Sequence, residues 1–266
     1  MKSIAALCFL LSLTSTCLAD PNRALIYSRT VGFRHDSIPL AREMLEAQYK
    51  SAGLEVDFSE DPSVFNNDNL ARYRAIAFIS TTGDVVMPAV DERATAGQKA
   101  AAAKKADDAR RTFRKWLESG GAFIAIHAAA DVGPDVPKNW RWYTKTIGAL
   151  FAGHPPQQEA VLHPIDRKSL ATAHLPADWR RRDEWYNFKN IQSDIHLLLE
   201  IDETSYKSGN SKAIRHHPMA WCKNVGKGRM FYTALGHTKE SYGEPDFSRH
   251  VFGGVLWTLK RDSFPK

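Results

Sequence analysis

Three histidines stand at or after the ends of apolar segments that are typical of buried strands. His127 closes the segment GGAFIAIHAAAD, and His237 follows FYTALG. His35 lies in the polar loop after RALIYS, an apolar segment near the start of the chain. Parallel strands end at one edge of a sheet, where open α/β proteins bind their ligands. We therefore expect the three imidazoles to meet, and we predict that they form a functional site.

Imidazoles that converge with a carboxylate allow two kinds of chemistry. They can perform acid–base catalysis near neutral pH, or they can bind a metal ion. The carboxylate candidates are the pair Asp183-Glu184, which on its own predicts a surface salt bridge with the preceding arginines. The neighbouring Trp185, Tyr186 and Phe188 favour a functional interpretation, because aromatic side chains beside a carboxylate often line sugar sites. No HExxH motif occurs, so any metal site must be assembled from distant segments.

Other chemistries find little support in the sequence. Cys222 lies inside a predicted strand without a glycine elbow, which indicates a packed core thiol. The motifs GxSxG, GxGxxG and the phosphate-binding P-loop are absent, so we expect no nucleotide cofactor. The pair His216-His217 is predicted to lie in a loop, and Trp140 and Trp142 are predicted to be core residues by default.

Alternating strand and helix patterns predict one α/β domain with a parallel sheet. The predicted strands are RALIYS, LEVDFS, RAIAFIS and GAFIAIH, followed in the second half by EAVLHP, HLLLEID, PMAWCKN and GRMFYTAL. The predicted helices are the segment from Ile38 to a stop at Gly53, Glu92–Glu118, WRWYTKTIGALF and Phe247–Leu259. The glycines of VGKG fit a hairpin turn between the last two strands.

The first 19 residues are predicted to be a signal peptide. Lys2 precedes the apolar run Ile4–Leu13, and a small residue, Ala19, stands before Asp20. The run is too short to span a bilayer, so we expect no membrane insertion after cleavage. Residues 20–266 would then form a single domain in an exported protein, periplasmic or secreted. Cys222 would be its one remaining cysteine and could form no internal disulfide.

The charge pattern excludes one class of partner. The formal net charge is +6, but basic residues alternate with acidic ones except at Arg180-Arg181-Arg182. This pattern is typical of a solvated basic surface and gives no support to nucleic-acid binding. The residues leave the oligomeric state open, and a homo-oligomer is compatible with them.

Several motifs, in order, resemble the trehalose-utilisation or ThuA-like family. They are GFRHDSI, GGAFIAIHAAAD, WYTKTIGALFAGHP, DEWYNF and HPMAW…GKGRMFYTALGHT, and the resemblance extends from about Arg23 to Leu259. It implies a flavodoxin-like fold, akin to the class I glutamine amidotransferases, with a parallel sheet flanked by helices. In those enzymes a nucleophilic cysteine occupies the elbow after a central strand. His127 takes that place here, so the resemblance implies no thioester chemistry.

The resemblance also marks individual residues. It singles out His35, His127, Glu184 and His237 as the catalytic set, with Asp131, His154 and Tyr186 as further members. Together with Arg34 from the first loop and Trp185 beside the glutamate, these further members form the predicted substrate-binding set. The Ala/Lys-rich stretch 92–112 departs from the family pattern and looks like an insertion without chemistry.

The family is associated with catabolism of disaccharides and their 3-keto derivatives. The leading hypothesis is therefore an exported enzyme that acts on a glycoside or keto-glycoside by His/Glu acid–base chemistry, with or without a divalent metal. The main alternative is a non-catalytic carbohydrate-binding or accessory protein on the same scaffold, and a third is a hydrolase of another small molecule. All three have a small molecule as the partner.

Overall fold

A nine-stranded sheet with helices on both faces forms the centre of the protein. The computed structural model describes residues 21–133, 140–209 and 216–265. The predicted signal peptide lies outside these residues. The strands are β1 (Arg23–Tyr27), β2 (Glu55–Ser59), β3 (Tyr73–Ile79), β4 (Ala122–Ile126), β5 (Leu150–Phe151), β6 (Gln158–Pro164), β7 (Trp179–Asp183), β8 (Phe188–Lys189), β9 (His196–Ile201), β10 (Pro218–Val225) and β11 (Gly228–Thr233). The helices are α1 (Ile38–Ser51), α2 (Asn67–Leu70), α3 (Ala96–Glu118), α4 (Arg141–Ile147) and α5 (Pro245–Thr258).

The sheet has a parallel half and an antiparallel half. Its order is β2-β1-β3-β4-β11-β10-β9-β6-β7, and the first five strands of that order run parallel. Taken alone they have the 2-1-3-4-5 arrangement of flavodoxin-like folds. The fold prediction is confirmed, and the structure adds an antiparallel extension of four strands, together with a separate ribbon of β5 and β8.

Helices pack on opposite faces of the parallel half. On one face α1 and α5 contact each other and the strands beneath them. On the other face Phe113 of α3 stacks on Phe78 at 5.3 Å between ring centroids, and it meets Phe123 edge-on at 5.2 Å. Tyr143 of α4 joins the same aromatic cluster. The buried strand residues between these layers form the core that holds the strand ends in place.

Two predicted helix boundaries were wrong, each for a local reason. Helix α3 begins at Ala96 and not at Glu92, because Thr95 and Gln98 form a capping box. Helix α4 ends at Ile147, because Gly148 adopts a φ of 94° and the chain turns into β5. The predicted hairpin between β10 and β11 is confirmed, with Gly226 at a φ of 60°.

The sequence patterns did not reveal strand β7, nor the short elements α2, β5 and β8. The β7 residues Trp179, Arg181 and Asp183 point inward, whereas Arg180 and Arg182 are exposed. The arginine run masked this alternation, which is the ordinary period of a strand. Among the described residues, no helix is long and apolar enough to cross a membrane.

The core predictions hold for Cys222 and Trp140 but only in part for Trp142. Cys222 is 4% exposed in β10, and burial raises the pKa of its thiol to about 12. Trp140 is also buried, whereas Trp142 is only partly so. His216 and His217 precede β10 as predicted, but His217 is buried.

Candidate functional site

Four side chains from distant segments meet at the carboxyl edge of the parallel strands. His35, His127, Glu184 and His237 each place one ligand-type atom in a group whose members all lie within 4.8 Å of one another. We call these four residues the histidine–glutamate cluster. The structure thus brings together the whole predicted catalytic set.

His127 is the centre of the cluster because of its place on the backbone. It follows β4 at a φ of 52°, a left-handed conformation that is unusual for a residue other than glycine. Its Nδ1 lies 2.7 Å from the carbonyl oxygen of Ala234, and the Tyr232 hydroxyl donates to the backbone carbonyl oxygen of His127 at 2.9 Å. Because a carbonyl only accepts, Nδ1 carries the proton, and in the neutral ring Nε2 presents its lone pair to the cluster.

His35 approaches from the loop that follows β1. Its Nε2 lies 3.1 Å from Nε2 of His127, and the side chain is buried. The loop is anchored where the Val31 amide donates to the Thr82 carbonyl oxygen at 2.8 Å and the Gly32 amide donates to the Thr82 hydroxyl at 3.0 Å. Burial, with the nearby His127 and His237, lowers the pKa of His35 to about 3, so this ring is neutral at physiological pH.

Glu184 connects two of the histidines. Its Oε2 lies 3.1 Å from Nδ1 of His237 and 3.4 Å from Nε2 of His127. Burial works to raise the pKa of this carboxyl, but the neighbouring imidazoles of His127 and His237 hold it well below its ordinary value. Burial likewise opposes the charge on His237, yet the hydrogen bond with Glu184 raises the pKa of His237 above its ordinary value. The pair therefore favours a carboxylate beside a charged imidazole.

Asp183 is a buried positioning residue and makes no surface salt bridge. It is fully buried, and its carboxylate accepts the backbone N–H groups of Glu184 at 2.9 Å, Gly236 at 2.9 Å and His237 at 3.1 Å. Arg181, also buried, donates to it at 3.1 Å. One carboxylate thus fixes the backbone of both Glu184 and His237. The in/out alternation of β7 is the sequence signal that could have identified it.

Tyr186 adds a hydroxyl to the cluster. Its OH lies 3.0 Å from Nε2 of His127, and burial raises the pKa of the phenol well above its ordinary value, so it remains a hydrogen-bond donor. The carbonyl oxygen of Tyr186 is held by Nε2 of His217 at 2.8 Å, and Nδ1 of His217 lies 2.8 Å from Glu203. His217 is therefore a second positioning residue that the sequence did not reveal.

The remaining predicted site residues are divided between the rim and the interior. Nδ1 of His154 lies 3.1 Å from Oε1 of Glu184, and Arg34 pairs with Glu60 at 2.7 Å beside the opening. Asp131 is partly buried and accepts from the Gly133 amide at 3.1 Å. Trp185 is not brought to the cluster. It is fully buried, and its indole N–H donates to the carbonyl oxygen of Gln158, so no ring face is free for a sugar.

A cleft of about 530 Å³ opens beside the cluster. His35 and His237 line it together with Phe33, Arg34 and Lys239. Its volume falls within the range of small-molecule sites. Phe33 is 67% exposed and meets the His35 ring edge-on at 4.8 Å between centroids, which makes it an aromatic surface that the sequence reasoning did not select.

This arrangement can do acid–base chemistry or bind a cation. Imidazole nitrogens, a carboxylate and a phenol face one point, and two of the imidazoles, those of His35 and His237, line a cleft of substrate size. Three nitrogen donors and one oxygen donor also form a set that divalent transition metals accept.

Comparison with known proteins relates the sequence of this chain to a family. The sequence profile of the ThuA family, described as trehalose utilisation, matches residues 23–258. A search of curated protein sequences finds no match.

Solved structures agree with this result at the level of the fold. A putative ThuA-like protein from Bacteroides uniformis is 20% identical with a TM-score of 0.67, and the match covers 90% of this chain and 92% of that one. A putative ThuA-like protein from Parabacteroides merdae is 18% identical with a TM-score of 0.65, covering 90% of each chain. A cytoplasmic protein from Salmonella typhimurium is 10% identical with a TM-score of 0.57, covering 89% of this chain and 98% of that one.

Proposed function

The chain belongs to the ThuA (trehalose utilisation) family, and from its carbohydrate-related role we propose that the protein is an exported enzyme acting on a glycoside or 3-keto-glycoside. The observation that carries the proposal is the histidine–glutamate cluster, two members of which, His35 and His237, line the 530 Å³ cleft. A cleft of that size accommodates a sugar of one or two rings.

The proposed reaction begins with loss of a proton next to a carbonyl group. In a 3-keto-glycoside the C3 carbonyl acidifies the proton on C2. Removal of that proton forms an enolate, and collapse of the enolate makes the C1–C2 double bond as the C1–O bond breaks. The leaving alcohol takes a proton, and addition of water to the double bond would complete a net hydrolysis.

The cluster has groups suited to each of these steps. Nε2 of His127 presents a lone pair, because Nδ1 donates to Ala234, and it would accept the C2 proton. The Tyr186 hydroxyl and the charged form of His237 would donate to the enolate oxygen. The Glu184–His154 pair reaches the rim, where the His154 side chain is 39% exposed, and would exchange protons with solvent.

The test is incubation of the purified protein with a 3-keto disaccharide, with the products followed by NMR. We expect cleavage by the wild type and loss of cleavage in His127→Ala. His196→Ala is the matched control, because this histidine is 62% exposed outside the cluster and its removal should leave the rate unchanged. Wild-type rates in His127→Ala would reject the assignment.

The alternative function is carbohydrate binding without turnover, and Phe33 is the observation that favours it. An exposed aromatic ring at the mouth of a cleft is suited to stacking on a sugar face. In that case the disaccharide would stay intact but show saturable shifts, and Phe33→Ala would weaken binding more than His127→Ala.

A further inference from the structure

Neighbouring ligand-type atoms of the cluster have the separations expected around a metal ion, and all four atoms lie within 4.8 Å of one another. Nε2 of His127 lies 3.1 Å from Nε2 of His35 and 3.2 Å from Nδ1 of His237, and Oε2 of Glu184 lies 3.1 Å from the latter. Ligands about 2.1 Å from one ion are separated by about 3.0 Å at right angles and about 3.4 Å at tetrahedral angles. The observed distances fall inside this interval.

Hydrogen bonds alone do not account for all the contacts of Nε2 of His127 at the centre of the cluster. The Nδ1–H group of His127 donates a hydrogen bond to the carbonyl oxygen of Ala234, so the neutral ring has one lone pair, on Nε2. Four groups lie within 3.4 Å of this Nε2 atom: the hydroxyl of Tyr186, a ring nitrogen of His35, a ring nitrogen of His237 and a carboxylate oxygen of Glu184. The tyrosine hydroxyl can satisfy the lone pair, but the carboxylate cannot donate to it. One cation would attract all four of the ligand-type atoms.

Three of the four cluster residues are also held by contacts outside the cluster, as metal ligands usually are, whereas Nδ1 of His35 has no hydrogen-bond partner among the described residues. Ala234 fixes the tautomer of His127, and His154 contacts the second oxygen of Glu184 at 3.1 Å. The backbone of His237 is held by Asp183 at 3.1 Å. These contacts orient the ligand atoms before any ion arrives.

We propose that the cluster binds one divalent first-row transition-metal ion, such as Zn²⁺, through Nε2 of His35, Nε2 of His127, Nδ1 of His237 and Oε2 of Glu184. Three imidazoles and one carboxylate suit Zn²⁺, Ni²⁺ or Fe²⁺, whereas Ca²⁺ and Mg²⁺ prefer sites built from oxygen. With neutral rings the site has a formal charge of −1, which a divalent cation more than neutralises.

An ion would change the roles within the proposed reaction. It would act as a Lewis acid on a substrate oxygen that enters through the cleft between His35 and His237. His127 would then be a ligand, and proton transfer would fall to His154 and the free oxygen of Glu184. Binding of the ion itself does not depend on the sugar activity.

The test is calorimetric titration of the EDTA-stripped protein with ZnCl2, with Co²⁺ absorption as a probe of the ligand set. We expect one ion per chain and visible bands typical of nitrogen and oxygen ligands. Glu184→Gln and His237→Gln should weaken affinity by at least about 10-fold. His196→Gln is the control and should bind like the wild type, and circular dichroism verifies the fold of each variant.

The outcomes separate this proposal from the proposed function. No saturable binding, or equal affinity in the cluster variants and the wild type, would reject the metal site. Tight binding without turnover of the keto-disaccharide would keep the metal site and reject the activity. Turnover of the keto-disaccharide by protein that shows no saturable metal binding would keep the activity and reject the metal site.

Discussion

Asp183 shows how a single residue can organise a site that it does not enter. Its carboxylate accepts three backbone N–H groups and an arginine, and it joins the end of β7 to the loop after β11. Both Asp183 and Arg181 are shielded from water. Removing one partner of such a pair leaves the other charge buried and uncompensated.

We predict that Asp183→Ala lowers the free energy of unfolding by about 3–5 kcal/mol. Urea denaturation followed by circular dichroism measures the change. Arg182→Ala is the control, because Arg182 is exposed on the opposite side of β7, and its effect should stay within about 0.5 kcal/mol. Equal effects of the two substitutions would show that Asp183 has no such role.

Tyr186 tests the chemistry of the cluster without removing a member of it. Tyr186→Phe deletes the hydroxyl that lies 3.0 Å from Nε2 of His127 and keeps the ring. We expect kcat on the keto-disaccharide to fall about 10²-fold, while stability falls by about 1 kcal/mol. The matched control is Tyr206→Phe, since that buried hydroxyl has no hydrogen-bond partner within the described part of the chain. A comparable loss of kcat in the control would contradict the assigned role.

At the scale of elements, strand ends and helix packing determine where the site residues lie. His127 follows β4, the loops that carry His35 and His237 follow β1 and β11, and Glu184 follows β7 of the antiparallel half. Helix α5 supports β4 and β11 from below. Gly254 allows its close contact with β11, since a Cβ there would lie 2.5 Å from the Phe231 ring. Gly253 allows close contact with the loop after β6, since a Cβ there would lie 2.4 Å from backbone atoms of Leu170 and Ala171.

We predict that Gly253→Ala destabilises the protein by about 1–3 kcal/mol, because the backbone must move to accept the methyl group. Gly97→Ala, near the start of α3, is the opposite case. Its added Cβ meets only the Thr95 hydroxyl at 3.9 Å, and alanine has the higher helix propensity. Thermal unfolding should therefore show a lower Tm for the first variant and an equal or higher Tm for the second. A reversed order would refute the packing argument.

For the whole molecule, His250 couples folding to pH. It lies fully buried in α5, its Nδ1 donates to the Ala171 carbonyl oxygen at 2.8 Å, and its Nε2 lies 3.2 Å from the Thr233 hydroxyl. Burial, together with the nearby His174 and Arg181, lowers the pKa of His250 from 6.5 to about 3. In the unfolded chain the pKa returns to its ordinary value.

The sign of the effect follows from proton uptake. Above about pH 6.5 His250 is neutral in both the native and the unfolded state, so proton binding to it does not reduce the free energy of unfolding there. Between about pH 6.5 and pH 3 the unfolded chain binds a proton that the native state does not, and stability falls as pH falls, by up to about 1.4 kcal/mol per pH unit. Urea denaturation from pH 7 to pH 4 should show a shallower slope in His250→Asn than in the wild type. Equal slopes would exclude the contribution of His250.

The apolar patterns of the sequence were enough to predict the parallel half of the fold and the histidines of the cluster. Buried parallel strands are nearly continuous apolar runs, and the side chain that follows each run must lie at one edge of the sheet. His35, His127 and His237 could be chosen on that ground alone. The sequence also offered the pair Asp183-Glu184 beside Tyr186, and the motif resemblance singled out Glu184, Tyr186 and His154.

The contacts between side chains at the site, and their burial, follow from long-range packing. The inward face of β7, the roles of Asp183 and His217, the burial of Trp185 and the exposure of Phe33 depend on contacts between segments far apart in the chain. Local periodicity carries no information about such contacts. A charged residue is predicted to be exposed, and only a partner from a distant segment can compensate the cost of burying it. The distances that support a metal ion are of the same kind, since they exist only where four separate loops converge.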